Sequence, residues 1–235
     1  EIEGKLGKGA MGVVYRARDR AVGRRVALKM LSDDLPAEEE ILQRFRRMIH
    51  SPHGMVLVTG PTGSGKTTTL YGALKELNKP SAKVITVEDP IEYRMSGINQ
   101  VQVNTKIDLT FARVLRSVLR QDPDIVLVGE MRDQETAEIG LRAAMTGHMV
   151  LSTLHTNDAI STVSRLMDMG AAPFLIAGSL RGIVAQRLVR RICESCSEPH
   201  AIDPGMRAIA AAELGDALED MQFHRGRGCT YCNHT

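Results

Sequence analysis

Residues 55–77 read MVLVTGPTGSGKTTTLYGALKEL. The apolar run at 55–59 predicts a buried parallel strand, and the residues from Lys66 onward predict a helix. The glycine-rich loop between them can curl its backbone N–H groups around a phosphate, which the positive end of the helix dipole also favours. This strand, loop and helix therefore predict an α/β protein with a nucleotide-phosphate site.

The loop contains the side chains that a nucleoside triphosphate and its magnesium ion require. Lys66 supplies a positive charge for the phosphates, and the Thr67 hydroxyl suits Mg²⁺. A glycine-rich connection without a ligand would not need this Lys-Thr pair at the start of a helix. The predicted nucleotide-binding residues are Gly60, Pro61, Thr62, Gly63, Ser64, Gly65, Lys66, Thr67 and Thr68.

Two further apolar runs, at residues 83–87 and 125–128, also predict parallel strands. The carboxyl ends of parallel strands meet at one edge of the sheet, where ligands bind in α/β folds. The acids that follow these runs are therefore candidates for holding Mg²⁺ or activating water, although those at 88 and 89 also suit a capping turn. These acids are Glu88, Asp89, Glu92 and Glu130.

A fourth predicted strand, at residues 148–153, leads into the sequence LHTN. This strand places His155 at the same edge of the sheet, where it is a candidate sensor of the γ-phosphate. A lone histidine is more often structural, and the edge position is what favours a functional role. His148 stands at the beginning of the strand and has less support from its position.

Five sequence blocks follow one another in the order found in one ATPase family. They are GPTGSGKTTTLY at 60–71, ITVEDPIEY at 85–93, LRQDPDIVLVGEMRD at 119–133, TGHMVLSTLHTN at 146–157 and AQRLVRR at 185–191. With these blocks, residues 49–235 resemble the cytoplasmic motor ATPases of type II secretion and type IV pilus assembly. The blocks resemble that family's Walker A, Asp box, Walker B and His box, a far more specific set than any single motif.

The resemblance implies a RecA-like P-loop NTPase core that hydrolyses ATP with Mg²⁺. It implies Glu92 as the general base, Glu130 as the acid of the magnesium site, and His148 and His155 as His-box residues near the phosphates. Position alone does not separate the roles of Glu92 and Glu130. The resemblance also implies a homo-hexamer at the cytoplasmic face of the inner membrane, working with the membrane platform proteins of a secretion or pilus system.

All four cysteines fall in two C-x-x-C pairs, which are Cys193 with Cys196 and Cys229 with Cys232. Two such pairs predict a tetrahedral Cys₄ zinc site, because each pair supplies a tight turn that lets its thiolates converge. Redox-active pairs are the alternative, but these usually occur singly beside a βαβ unit. His224 and His234 are other possible ligands, for which a structural role is the preferred interpretation.

The N-terminal segment has a different character. Residues 7–15 read GKGAMGVVY and residues 25–30 read RVALKM, a glycine-rich hairpin and a lysine-bearing strand. This combination resembles the N-lobe of bacterial Ser/Thr protein kinases over about residues 1–47. Met48 stands where that family has the glutamate that pairs with its strand lysine, here Lys29. Kinase activity is not expected, because the sequence contains no His-Arg-Asp and no Asp-Phe-Gly motif.

Composition and charge limit the partners. With 43% hydrophobic and 25% charged residues, the chain is typical of globular proteins. The net charge is +2, and the short basic clusters at 44–47 and 187–191 are typical of solvated helix faces, so nucleic acid is not an expected partner. No apolar run approaches the roughly 20 residues of a membrane span, and no signal-peptide pattern occurs. We therefore expect a cytoplasmic protein that meets the membrane only through partners.

The sequence thus predicts three segments: a kinase N-lobe-like segment at 1–48, a P-loop ATPase core at 49–191 and a small zinc-binding subdomain at 192–235. Hydrolysis of ATP as the core of an assembly motor is the leading hypothesis. A non-catalytic nucleotide-binding remnant is the first alternative, and a Ser/Thr protein kinase is the weakest. The sequence does not separate secretion from pilus extension.

Overall fold

The computed structural model describes residues 2–9, 12–18, 25–30, 38–219 and 221–233. The chain divides into two compact units, Glu1–Arg187 and Leu188–Thr235. Each unit is described by itself.

The N-terminal strands form a small antiparallel sheet of their own. They are β1 (Ile2–Gly9), β2 (Gly12–Arg18) and β3 (Arg25–Met30). The order is β1-β2-β3, with Gly9 opposite Gly12 and Val14 opposite Lys29. The predicted hairpin and the predicted strand after it are confirmed as backbone structure.

The main sheet of the first unit has six strands, all parallel to their neighbours. They are β4 (Gly54–Thr59), β5 (Val84–Glu88), β6 (Asn99–Gln102), β7 (Ile125–Val128), β8 (Met149–Leu154) and β9 (Leu180–Ala185). The order is β6-β5-β7-β8-β4-β9. Every residue of β4, β5, β7 and β8 is buried, which is why these strands appear in the sequence as short apolar runs.

Helices cover both faces of this sheet. They are α1 (Glu38–Ile49), α2 (Lys66–Leu77), α3 (Phe111–Leu119), α4 (Gln134–Met145), α5 (Ala159–Asp168) and α6 (Pro173–Ser179). Alternate residues of β4 belong to two separate apolar clusters, because successive side chains of a strand point to opposite faces. Val56 and Val58 pack with α1 and α2, whereas Met55 and Leu57 pack with α3 to α6. The predicted α/β architecture is confirmed.

Helix α1 is part of this α/β unit. Ile49 is buried in the same apolar cluster as Leu70 and Leu74 of α2. A Cβ atom built on Gly182 of β9 would lie 2.0 Å from the sulfur of Met48, so the methionine packs directly on the sheet. The segment boundary predicted at residue 48 thus falls inside a helix that packs on the sheet.

The two basic clusters differ in backbone structure. Residues 44–47 lie on α1, as predicted for a helix face. Residues 187–191 belong to no helix, because the chain from 186 to 193 is irregular after β9. The prediction of a helix face was therefore wrong for the second cluster, although all of its residues are exposed.

The second unit contains a short antiparallel pair and one helix. The strands are β10 (Ser197–Pro199) and β11 (His224–Gly226), and the helix is α7 (Pro204–Leu214). The Asp203 side chain caps α7 by accepting the N–H of Met206 at 3.0 Å. The chain between the two cysteine pairs therefore contains a helix. Across the part of the chain that the structure describes, no helix is both long and apolar enough to cross a membrane.

Candidate nucleotide site and cysteine cluster

The predicted phosphate loop connects the carboxyl end of β4 to the first residue of α2. Its backbone requires glycine at two places. Gly65, directly before α2, has a φ of 84°, and a Cβ on Gly60 would lie 2.2 Å from the carbonyl oxygen of Gln186. A side chain at either position would strain or displace the loop. The sequence thus folds locally into the strand, tight loop and helix that bind phosphate in other proteins.

Lys66 lies inside this loop. Its ammonium group donates to the carbonyl oxygens of Gly60 at 2.9 Å and Pro61 at 3.0 Å, and the residue is only 8% exposed. Burial lowers the pKa of Lys66, while the negative charge of Glu130 acts in the opposite direction. Lys66 begins α2 beyond the carboxyl end of β4, and Glu130 follows the carboxyl end of β7, so both lie at the edge where the sequence predicts them.

Hydroxyl groups join the carboxyl ends of the central strands. The Thr59 hydroxyl, at the end of β4, lies 3.0 Å from the carbonyl oxygen of Leu154 and 2.7 Å from that of Thr156. It also accepts the Thr156 N–H at 3.0 Å. These bonds hold the backbone on both sides of His155 against the end of the phosphate-loop strand.

A second set of bonds positions Glu130. The Thr153 hydroxyl of β8 donates to the carbonyl oxygen of Gly129 at 2.7 Å, and the Met131 N–H donates to the carbonyl oxygen of Thr153 at 3.2 Å. The residues on both sides of Glu130 are thereby tied to β8. Because His155 follows the same strand, the two side chains are brought to neighbouring positions.

Four ionisable side chains meet at this edge. Glu130 forms an ion pair with Arg132, and its carboxylate lies 3.8 Å from Nε2 of His155. Arg132 also lies 3.7 Å from a carboxylate oxygen of Asp89. The hydrogen bond that Arg132 donates to Glu130 raises the pKa of Arg132, so the guanidinium stays charged. Asp89, Glu130 and His155, which the sequence predicts at one edge, are indeed together, joined by Arg132.

Glu92 and Glu88 occupy different environments. Glu92 is exposed on the loop after β5, and its backbone N–H lies beside the hydroxyl of Tyr71. Glu88 is 3% exposed and its carboxylate is bound by neighbouring side chains rather than directed to solvent. Of these two glutamates, only the side chain of Glu92 is free to approach a substrate.

His148 lies at the opposite edge of the sheet. It immediately precedes β8, its Nδ1 atom is 3.0 Å from the carbonyl oxygen of Ala143, and its own carbonyl accepts the N–H of Gly54 at the start of β4. Six strand residues span roughly 20 Å. The structure of one chain therefore does not bring His148 to the phosphate loop, and a role at phosphates would require the site of another subunit.

Sequence reasoning missed two residues of the site. Arg132 links Asp89 to Glu130, as described above. Gln186 supports the phosphate loop from β9: its backbone N–H donates to the carbonyl oxygen of Thr59 at 2.8 Å, and its side chain accepts the hydroxyl of Thr69 at 2.7 Å. The available signal was that both residues lie inside the sequence blocks, at 119–133 and 185–191.

The four cysteines form one cluster in the second unit. Their sulfur atoms all lie within 4.8 Å of one another, and three of the separations are 3.9 Å, 3.9 Å and 3.8 Å. Four thiolates at about 2.3 Å from a tetrahedral zinc ion would be separated by about 3.8 Å. The cluster thus has the size and ligand chemistry of a structural zinc site, and four thiolates leave no position for a substrate.

Local structure brings the two cysteine pairs together. The Cys196 N–H donates to the carbonyl oxygen of Cys193, and the Cys229 N–H donates to the sulfur of Cys232 at 3.3 Å. Each pair is therefore a tight turn, and the pairing of β10 with β11 joins the two turns. His224 contacts the Ser197 hydroxyl at 3.2 Å, as a structural histidine does, and His234 lies outside the described residues.

A parallel α/β sheet with a phosphate loop, and with acids at the same edge, defines a P-loop nucleotide-binding protein. A family model described as "Type II/IV secretion system protein" matches residues 15–235. The chain belongs to this family, as the sequence blocks indicate. The match begins inside the N-terminal segment, and the comparisons give no support to a kinase origin of that segment.

Curated relatives share close to half of the residues. The chain is 50% identical to type II secretion system protein E of Pectobacterium carotovorum subsp. carotovorum, over 98% of this chain and 47% of that protein. It is 48% identical to type II secretion system ATPase E of Vibrio cholerae, with the same coverage. It is 50% identical to the type IV pilus assembly ATPase PilB of Myxococcus xanthus, over 94% of this chain and 38% of that protein. The chain spans about half the length of such relatives.

Solved structures resemble the fold. The ADP-bound pilus retraction motor PilT matches with a TM-score of 0.56 and 37% identity, over 76% of this chain and 56% of that one. The ATPase DotB of Legionella pneumophila matches with a TM-score of 0.50 and 27% identity, over 74% and 52%. These likenesses agree with the α/β architecture described above.

Proposed function

We propose that this chain binds ATP and hydrolyses it to ADP and phosphate, as the motor core of a type II secretion or type IV pilus assembly ATPase. The observation that carries the proposal is the meeting of the Lys66 loop with Glu130 and His155 at one edge of the parallel sheet. Loops of this kind hold phosphates, and acids beside them serve magnesium or water.

The chain's own groups divide the work of binding. The N–H groups of loop 60–65 and the amino end of α2 hold the phosphates. When nucleotide binds, the Lys66 ammonium group replaces its hydrogen bonds to loop carbonyl oxygens with hydrogen bonds to phosphate oxygens. Thr67 and Glu130 are the residues that would hold Mg²⁺, which when bound offsets charge on the phosphate oxygens. Arg132 keeps the Glu130 carboxylate oriented toward this position.

Two side chains act on the reacting atoms. Glu92 is exposed beside the site and serves as the general base that takes a proton from the attacking water. His155, supported by the Thr59 bonds on either side of it, contacts the γ-phosphate and donates a hydrogen bond to the charge that develops there. The water oxygen bonds to the γ-phosphorus in line with the bond that breaks to the ADP oxygen.

The cysteine cluster has a structural role in this proposal. Among the second-unit residues whose side chains the structure describes, Cys196 and Leu218 are the only buried apolar ones, so these side chains provide little apolar core. Zinc bound by the four thiolates would supply the missing stability. A measured content of one zinc ion per chain would support the assignment. Loss of zinc and of second-unit structure in Cys193→Ser is expected, and full zinc content in that variant would contradict it.

The relatives' names support a proposed cellular role. We place the chain in a homo-hexamer at the cytoplasmic face of the inner membrane, where platform proteins of a secretion or pilus system would receive its motion. The relatives named for type II secretion and for pilus assembly support either system equally. The matched proteins are about twice as long as this chain, so these assignments concern the whole assembly.

ATP hydrolysis with Mg²⁺ by the purified chain tests the proposed function, with nucleotide binding measured in parallel. We expect Lys66→Ala and Glu92→Gln each to lower turnover at least about 100-fold, and only Lys66→Ala to weaken binding strongly. Lys75→Ala, an exposed lysine on the same helix, is the matched control. Tight binding without turnover in the parent chain would contradict hydrolysis and favour a nucleotide-binding remnant.

A further inference from the structure

The buried carboxylate of Glu88 ends strand β5, three residues before Ile91 and four before Glu92. Three neutral donors surround it. The Tyr71 hydroxyl donates to one oxygen, and the other accepts the Thr86 hydroxyl at 2.5 Å and the Gln100 side-chain N–H at 3.1 Å. No ion pair within the described residues involves Glu88. A buried carboxylate whose oxygens all accept hydrogen bonds makes the elements around it rigid.

Tyr71 connects this carboxylate to the phosphate loop. The residue is 1% exposed and lies on α2, five residues after Lys66. Burial, together with the hydrogen bond to Glu88, raises the pKa of Tyr71, so the hydroxyl remains a donor at neutral pH. Helix α2, which begins at the phosphate loop, therefore contacts Glu88 through Tyr71 in its second turn.

Gln100 connects the carboxylate to the loop that carries Glu92. Its side-chain N–H lies 3.2 Å from the carbonyl oxygen of Tyr93 as well as within reach of Glu88. Its side-chain oxygen accepts the Met95 N–H at 2.8 Å. The loop backbone is thus held by hydrogen bonds at 93 and 95, directly after Glu92.

The Tyr71 ring holds the same loop from the other side. Its centroid lies 4.6 Å from that of Tyr93 with an interplanar angle of 79°, an edge-to-face contact. The backbone N–H groups of Glu92 and Tyr93 lie beside its hydroxyl. The backbone at Glu92 is therefore held by a helix residue and a strand residue, while its side chain stays exposed.

We propose that Tyr71 and Gln100 are positioning residues for Glu92, acting through the buried Glu88. This rests on the proposed function, in which Glu92 is the general base. The Tyr71–Glu88–Gln100 network sets the distance between the phosphate-binding end of α2 and the Glu92 carboxylate. The attacking water is thereby held in line with the phosphorus–oxygen bond that breaks. A displacement of about 1 Å in such a site can lower a rate about 100-fold.

Tyr71→Phe and Gln100→Ala test the proposal, because the first removes only a hydroxyl and the second lies on a half-exposed edge strand. We expect kcat to fall about 10- to 100-fold in each, with ATP affinity unchanged within about 2-fold. Val118→Ala is the matched control, since it removes buried apolar atoms on α3, in the apolar cluster on the opposite face of the sheet from Tyr71. The control is expected to lower the melting temperature and leave kcat unchanged.

Amide hydrogen exchange of residues 91–95 gives a readout that is independent of turnover. We expect exchange of this loop to accelerate about 10-fold in Tyr71→Phe and Gln100→Ala but not in Val118→Ala, because the bonds that hold Met95 and Tyr93 are loosened. If Tyr71→Phe does not fold, Gln100→Ala supplies the same comparison.

Unchanged loop exchange in both variants would overturn the positioning role, whatever the activity. A loss of ATP affinity equal to the loss of kcat would also overturn it, because the network would then support binding rather than the base. A parent chain that binds ATP without turnover contradicts the proposed function, and the exchange measurement then decides the positioning role alone.

Discussion

The two edges of the parallel sheet each carry one histidine of the same sequence block, in very different surroundings. At the carboxyl edge, His155 lies 3.8 Å from the Glu130 carboxylate, which in turn interacts with Lys66. At the amino edge, His148 lies 3.0 Å from a backbone carbonyl oxygen, as a structural histidine does.

The difference follows from strand direction. Seven positions separate the two histidines, and strand β8 between them runs from the amino edge of the sheet to its carboxyl edge. All six strands run the same way, so the loops after them gather at one edge and bring the acids and the phosphate loop together. Residues of one sequence block can therefore have separate roles, and three variant pairs test this contrast.

The largest effect is expected at the carboxyl edge from Glu130→Gln. The change removes the charge that pairs with Arg132 and lies next to His155, and turnover should fall at least about 100-fold with protein stability nearly unchanged. Steady-state phosphate release measures it. Glu135→Gln is the matched control, an exposed glutamate paired with Arg116, and should alter turnover less than about 2-fold. Equal losses in the two variants would show that Glu130 has no special role.

The two histidines give a direct comparison of the edges. His155→Ala should lower turnover about 10- to 100-fold, because a hydrogen-bond donor to the γ-phosphate is lost. His148→Ala should leave turnover within about 2-fold when it is measured on dilute, dissociated chains. A large loss in His148→Ala that appears only at concentrations where chains associate would instead show that the amino edge serves a neighbouring subunit's site.

A smaller effect is expected on stability. Thr59→Val removes the hydroxyl that joins the end of β4 to the backbone around His155 and leaves buried polar groups unpaired, which should lower the free energy of unfolding by about 1–3 kcal/mol. At the amino edge, Arg181→Ala removes exposed bonds to His53 and should lower it by about 0.5 kcal/mol or less. Urea unfolding measures both free energies. A larger loss of stability in Arg181→Ala than in Thr59→Val would contradict the conclusion that the carboxyl edge is held by the stronger hydrogen bonds.

The central strands could be predicted well. The predicted bounds of β7 match the observed ones, and those of β4, β5 and β8 differ by one residue, because buried strands in a parallel sheet form continuous apolar runs. Strand β6, with the sequence NQVQ, was missed. It is a partly exposed edge strand and carries no apolar run.

The candidate site was predicted only in part. Lys66, Glu130 and His155 were expected at one edge because each follows or adjoins a strand end, and strand direction alone brings such residues together. Arg132 and Gln186 were not expected to support them. Their contacts depend on which strands are neighbours and on side-chain direction, neither of which a single local pattern contains.

The sequence by itself determined the α/β class, the phosphate loop and the two C-x-x-C turns, because each depends on residues close together in the chain. Continuous apolar runs, glycine at strained backbone positions and C-x-x-C turns are local properties. Only the tertiary structure decided which side chains support the site and which glutamate is buried. Those outcomes depend on strand order and on contacts between residues far apart in the chain, such as Thr59 with Thr156 and Thr69 with Gln186.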